Sequence, residues 1–118
     1  MEATIWHNPA CGTSRSVLAM LREAGIEPRI VEYLKTPPDE ATLRGLLARM
    51  GISARDLLRL PGTPAAELGL DRPEVSEDAI VAAMLAHPVL IERPVVVTER
   101  GAALCRPAER VRALLPSG

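Results

Sequence analysis

The chain has 118 residues, 47% of them hydrophobic and 25% charged, with a net charge of −1 and Trp6 and Tyr33 as its aromatic residues. One folded domain over residues 1–118 is expected, because single domains cluster at roughly 100–150 residues and disordered chains are poorer in apolar residues. Nucleic-acid binding is excluded for want of a positive footprint and stacking rings, and a membrane role for want of any run approaching ~20 apolar residues.

Ala3–Trp6 is a short β-prone run that ends at the loop His7-Asn8-Pro9-Ala10-Cys11-Gly12, where Pro and Gly interrupt regular structure. Thr13 or Ser14 can cap a helix carrying Val17, Leu18, Leu21 and Ala24 at three- and four-residue spacing, with Gly25 as its left-handed stop. Pro28–Tyr33, with the β-branched pair Ile30 and Val31, reads as a second strand. A right-handed crossover through the helix makes the two strands parallel.

From about residue 37 to 87 a helical excursion is predicted. Thr36 caps its first helix, Pro37 and Pro38 occupy the first turn, and Leu43, Leu46, Leu47 and Met50 form the apolar stripe up to Gly51. Ser53-Ala54-Arg55-Asp56 has the form of a capping box opening a shorter helix through Leu57 and Leu58, which Arg59 ends. Ser76 caps a further helix, with Glu77 and Asp78 at its positive end and Ile80, Val81, Met84 and Leu85 on one face, stopping near His87-Pro88.

The last third returns to short strands at Val89–Ile91, Pro94–Thr98 and Ala102–Cys105, the last two forming a hairpin about Arg100-Gly101. Pro107 starts a closing helix with Val111, Leu114 and Leu115 as its stripe, and Ser117-Gly118 form a free tail. The fold class expected is α/β: a thioredoxin-like, mixed four-stranded sheet with a helical block inserted between its two halves.

Cys11 and Cys105 are too few for a secreted disulfide framework, which points to thiol chemistry in a reducing compartment. The N-terminus shows no basic segment followed by an apolar run, so a soluble, cytoplasmic protein is expected. Cys11 stands between a strand and a helix start, where unpaired N–H groups and the positive end of the helix dipole favour a thiolate. Such a cysteine can have its pKa lowered from about 8.5 into the ~3.5–7.5 range and become a nucleophile at neutral pH. The motif is C-x-x-S, since Ser14 occupies the place of a resolving cysteine. A covalent adduct must then be passed to an external thiol, glutathione being the abundant cytosolic candidate.

The same backbone groups welcome an oxyanion, which arginine would hold bidentately. Arg15, Arg59, Arg93 and Arg106 are the candidates, and spacing alone joins none of them to Cys11. A phosphatase-type C-x5-R loop is excluded, because its arginine position is Val17.

His7–Arg15, Tyr33-Leu34 with Pro37-Pro38, Met50–Ser53 leading to Leu57-Leu58-Arg59, Leu68–Leu70, His87-Pro88 with Ile91–Thr98, and Leu104–Pro107 together resemble the glutaredoxin-coupled arsenate reductases over nearly the whole chain. By that resemblance Cys11 matches the nucleophile that attacks arsenate. Arg59, Arg93 and Arg106 match the three arginines that bind the oxyanion and its arsenite adduct. His7 and Ser14 match residues beside the nucleophile, which either help set its charge or order the loop. The bond matching Arg93-Pro94 is typically cis in the family. The resemblance implies no bound cofactor and no metal, glutathione as co-substrate, and arsenate and glutaredoxin as partners. Cys105 matches a family cysteine that is not the nucleophile and reads as a buried structural thiol. Ala65-Ala66 departs from a tyrosine common before the Leu-Gly-Leu turn, and the chain stops soon after Leu115, where many relatives continue.

Two other functions fit a chain of this kind. One is a redox-sensing regulator that binds RNA polymerase, a relative that typically carries C-x-x-C. The other is a general glutathione-dependent thiol oxidoreductase, which gives no reason for three guanidiniums around one sulfur.

Overall fold

The computed structural model describes residues 1–116, and the predicted free tail at Ser117-Gly118 lies outside the described residues. The chain forms two compact units, one of Met1–Thr36 together with the chain from Arg93 onward, the other of Pro37–Glu92.

In the first unit, β1 (Ala3–Trp6), β2 (Arg29–Val31), β3 (Val95–Thr98) and β4 (Gly101–Leu104) build a mixed four-stranded sheet of order β2-β1-β3-β4. This is the thioredoxin-like α/β arrangement expected from the sequence. β1 and β2 run parallel and are linked through α1 (Gly12–Glu23), while β3 is antiparallel to both β1 and β4. Gly25, at φ 80°, turns the chain out of α1 in a conformation that side chains other than glycine's rarely accept. Val17 and Leu21, one helical turn apart, are fully buried with Ile5, Val96 and Val111 in a single apolar cluster.

α1 starts at Gly12 with Cys11 in the N-cap position, so Thr13 and Ser14 lie inside the first turn and neither caps the helix. The turn before it is closed by the Cys11 N–H on the Asn8 carbonyl at 3.0 Å, which lets the helix begin at once. The closing helix, Ala108–Leu114, is a 3-10 helix, with Pro107 preceding it in extended conformation instead of opening it. Its buried residues, Val111 and Leu114, are three apart, the spacing that a three-residue turn stacks on one face.

The second unit contains α2 (Glu40–Met50), α3 (Ala54–Leu57) and α4 (Glu77–Ala86), with α4 packed on both of the others. The cap of α2 is Asp39, whose carboxylate accepts the Thr42 N–H at 2.8 Å, and not Thr36. A residue before proline is pushed out of the helical region, so neither Thr36 nor Pro37 can open the helix. Leu43, Leu46 and Leu47 are buried as the spacing predicts, and Gly51 ends α2 at φ 68°. The Ser53–Asp56 capping box forms with both of its reciprocal hydrogen bonds. Ser76 likewise caps α4 by accepting the Ala79 N–H at 3.1 Å. Val89–Ile91, predicted as a strand, is instead a 3-10 turn over Pro88–Leu90, with Ile91 in an isolated antiparallel bridge to Leu58. Pro88 has its φ preset for a helical turn and has no N–H for a ladder, which decides that segment.

Candidate active site

The loop after β1 is tied down at both ends before its chemistry begins. The His7 N–H donates to the Val31 carbonyl at 2.9 Å, extending the β1–β2 pairing by one residue. Asn8 folds the loop: its Oδ1 accepts the Ala10 N–H at 3.0 Å, and its own N–H donates to Ser14 Oγ at 3.1 Å. Ser14 Oγ, fully buried, also shares a 2.6 Å hydrogen bond with His7 Nδ1. Arg15 Nη1 closes the outer side by donating to the Pro9 carbonyl at 2.8 Å. His7 is held below its ordinary pKa, first by burial and further by Arg22 and Arg15, against the opposing pull of Glu32. Near neutrality His7 therefore stands uncharged beside Ser14.

Strand register brings two of the predicted arginines to the same place. Trp6 pairs with Val95 and Val95 with Leu104, so the end of β1, the start of β3 and the end of β4 meet at one edge of the sheet. The Cys105 N–H continues the ladder to the Pro94 carbonyl at 2.9 Å. The next residues outward are Arg93 and Arg106, and Arg106 Nη1 donates to the Arg93 carbonyl at 3.3 Å and to Cys11 Sγ at 3.7 Å. The peptide bonds Arg93-Pro94 and Arg106-Pro107 are both cis. Burial pushes the Cys11 thiol up, but the Ser14 backbone N–H and the Arg93 and Arg106 side chains outweigh it and bring the pKa from 9.0 down to about 7. At neutral pH a large share of Cys11 is thiolate, buried and unbridged, with guanidinium beside it.

Cys105 is the opposite kind of thiol. It belongs to the apolar cluster of the first unit, donates to the Ala103 carbonyl at 3.7 Å, and burial pushes its pKa up to about 12. Cys11, His7, Ser14, Arg93 and Arg106 thus come together within the first unit. Arg59 belongs to the second unit, just beyond α3, which stops at Leu57. There its N–H donates to the Leu90 carbonyl at 2.8 Å and its Nη1 donates to Glu92 Oε1 at 2.7 Å, with both side chains under a fifth exposed.

Two residues with a part in this geometry were not singled out from the sequence. Asn8 carried a readable signal, since Asn before Pro favours a side-chain-closed turn. Glu92 carried none, because its partner Arg59 is remote in the chain.

Sheet, loop and helix define a thioredoxin-like protein with a single activated thiol at the start of α1. The chain belongs to the ArsC family, whose model matches residues 6–114. It is 55% identical over 116 residues to the arsenate reductase of Rhizobium meliloti, covering 98% of this chain and 83% of that one. To the arsenate reductase of Escherichia coli it is 53% identical over 113 residues, covering 96% of this chain and 80% of the relative. Of the solved structures, the arsenate reductase from Vibrio cholerae superposes with a TM-score of 0.92 at 40% identity over 98% of each chain.

Proposed function

We propose that this chain is an arsenate reductase in which the Cys11 thiolate attacks arsenic. The observation that carries the reading is the Cys11 thiol, drawn down to about 7 by groups that include Arg93 and Arg106. A soft, reducible centre such as arsenic suits a thiolate nucleophile, and guanidinium suits the oxyanion around it. Relatives above 50% identity that carry the name arsenate reductase support the substrate.

In this mechanism Arg93, Arg106 and Arg59 bind the oxyanion, while His7 and Ser14 hold the loop from which Cys11 attacks. The thiolate forms a bond to arsenic as one arsenate oxygen, with protons taken up, leaves as water. Glutathione then forms a second sulfur–arsenic bond with loss of another water. A glutaredoxin thiolate attacks the glutathione sulfur, making a mixed disulfide, and the electron pair of the broken sulfur–arsenic bond reduces arsenic from the +5 to the +3 state. Water releases arsenite from Cys11, and a second glutaredoxin thiol displaces glutathione from the mixed disulfide, leaving glutaredoxin as an internal disulfide. No bound cofactor enters the reaction, and its dependence on reducing thiols favours the cytoplasm as its setting. The whole chain acts as one domain in this reading.

The test is arsenite formation by the purified protein with arsenate, glutathione and glutaredoxin. Arsenite formation that disappears in Cys11→Ser supports the reading. A parent that forms no arsenite while Cys11 alkylates quickly at neutral pH overturns it.

A further inference from the structure

A groove of about 700 Å³ opens beside the nucleophile, between α1 and the start of the closing 3-10 helix. Its walls include Gly12, Arg15, Ser16 and Ala19 on one side and Pro107 and Glu109 on the other. Gly12 follows Cys11 directly and Pro107 follows Arg106 directly, so two of the lining residues are chain neighbours of the attacking cysteine and of the arginine beside its sulfur. Small residues at positions 12 and 19 keep it open, and its volume lies within the roughly 300–1,000 Å³ usual for small-molecule sites.

We propose that this groove seats the glutathione that attacks the arsenic adduct, an inference that rests on the arsenate reductase reading. The lining matches the molecule in charge and form. Arg15 stays anchored through Nη1 to the Pro9 carbonyl, so its guanidinium is preorganised to meet a carboxylate. Glu109, exposed on the opposite wall, meets the ammonium of the γ-glutamyl end. Thr13 and Ser16 supply hydroxyls for the peptide amides. With its end groups on Arg15 and Glu109, the tripeptide turns the sulfur of its central cysteine toward Gly12 and the neighbouring Cys11, where it meets arsenic held on that residue. Arsenate itself is held by the arginines and not by the groove, so the two substrates bind to separate groups of side chains.

The test uses S-methylglutathione, which keeps both charged ends and cannot react. Titrated into the isotope-labelled protein, it is expected to shift the amide signals of Gly12, Ser16, Ala19 and Glu109 most strongly. Glu109→Lys and Ala19→Trp, both at exposed positions, are expected to weaken that binding and raise the KM for glutathione by roughly tenfold, the effect of losing one charge-assisted contact, while the KM for arsenate stays put. Amide shifts that avoid the groove, or a dissociation constant that neither variant changes, overturns the assignment. Failure of the arsenate reading is seen separately, as a parent that makes no arsenite, and the amide shifts still report on the groove in that case.

Discussion

Arg106 Nη1 lies 3.7 Å from Cys11 Sγ although the two residues sit near opposite ends of the chain. The contact exists because β3 runs antiparallel to both β1 and β4, which returns the end of β4 to the loop that follows β1. A positive group held at that distance stabilises the thiolate and not the thiol. Measurable consequences follow for reactivity, for stability and for turnover.

Alkylation by iodoacetamide is expected to report the difference between the two cysteines. The rate at Cys11 rises through a midpoint near pH 7, where its pKa lies. Cys105, with its pKa pushed up to about 12 and no exposed surface, stays unmodified until the protein unfolds. Arg106→Ala moves the Cys11 midpoint upward, and peptide mass spectrometry after timed labelling reads both sites. A midpoint unchanged in Arg106→Ala would show that the guanidinium does not set the thiol's charge.

Stability carries the same signature. Cys11 has a lower pKa folded than its ordinary 9.0, so between about pH 7 and 9 the unfolded chain binds more protons at this residue than the native one. Its contribution is fully present above about pH 9 and is lost as pH falls through 7. The stability of the parent relative to Cys11→Ser should therefore grow from pH 7 to 9, measured as urea midpoints at fixed ionic strength.

His7 governs the acid side. Its pKa is depressed by burial, so as pH falls below the ordinary value of 6.5 the unfolded chain takes up a proton that the native one resists. Stability then drops with falling pH until the folded pKa is passed. His7→Asn should flatten the dependence below pH 6.5, and a parent and variant with parallel curves would contradict it.

Within the second unit, Glu92→Gln removes the charge that faces Arg59 at 2.7 Å. Both side chains are largely withdrawn from water, and leaving one such charge without its counterion costs about 1–3 kcal/mol. A lower urea midpoint with an unchanged m-value is the expected result. Restoring the midpoint with the double variant Arg59→Gln/Glu92→Gln would place the loss in the pair itself.

For turnover, Cys11→Ser is expected to lower arsenite formation by more than about a thousandfold, as loss of a nucleophile does. If Arg106 binds the oxyanion as proposed, Arg106→Ala removes one charge-assisted contact and should cost roughly 10–100-fold in kcat/KM for arsenate. Equal losses with arsenate and with an unrelated disulfide substrate would mean that Arg106 serves the thiol alone.

Most local signals that are complete within a few residues agree with the structure, the exception being the start of α1, where Cys11 and not Thr13 or Ser14 holds the N-cap position. The stop at Gly51, the Ser53–Asp56 box and the Ser76 cap all form as the side-chain chemistry dictates. Three of the differences share a cause, which is prolines and prolyl neighbours at element ends. Thr36 yields to Asp39 as a cap, Val89–Ile91 winds into a 3-10 turn, and Pro107 stays outside the closing helix. A proline fits either an extended segment or a helical first turn, and only the packing around it selects between them.

A cysteine at a strand-to-helix turn without a resolving partner is legible in the residues alone, because caps, breakers and apolar spacing act over one or two turns of chain. The α/β sheet of mixed direction is legible there too, since the short β–α–β connection and the hairpin admit few other arrangements. Folding alone brings Arg93 and Arg106 side by side, carries Arg106 to the Cys11 sulfur and seals Cys105 in the apolar cluster. Those relationships depend on strand register between segments far apart in sequence, where shifting the pairing by one residue moves every side chain to the other face.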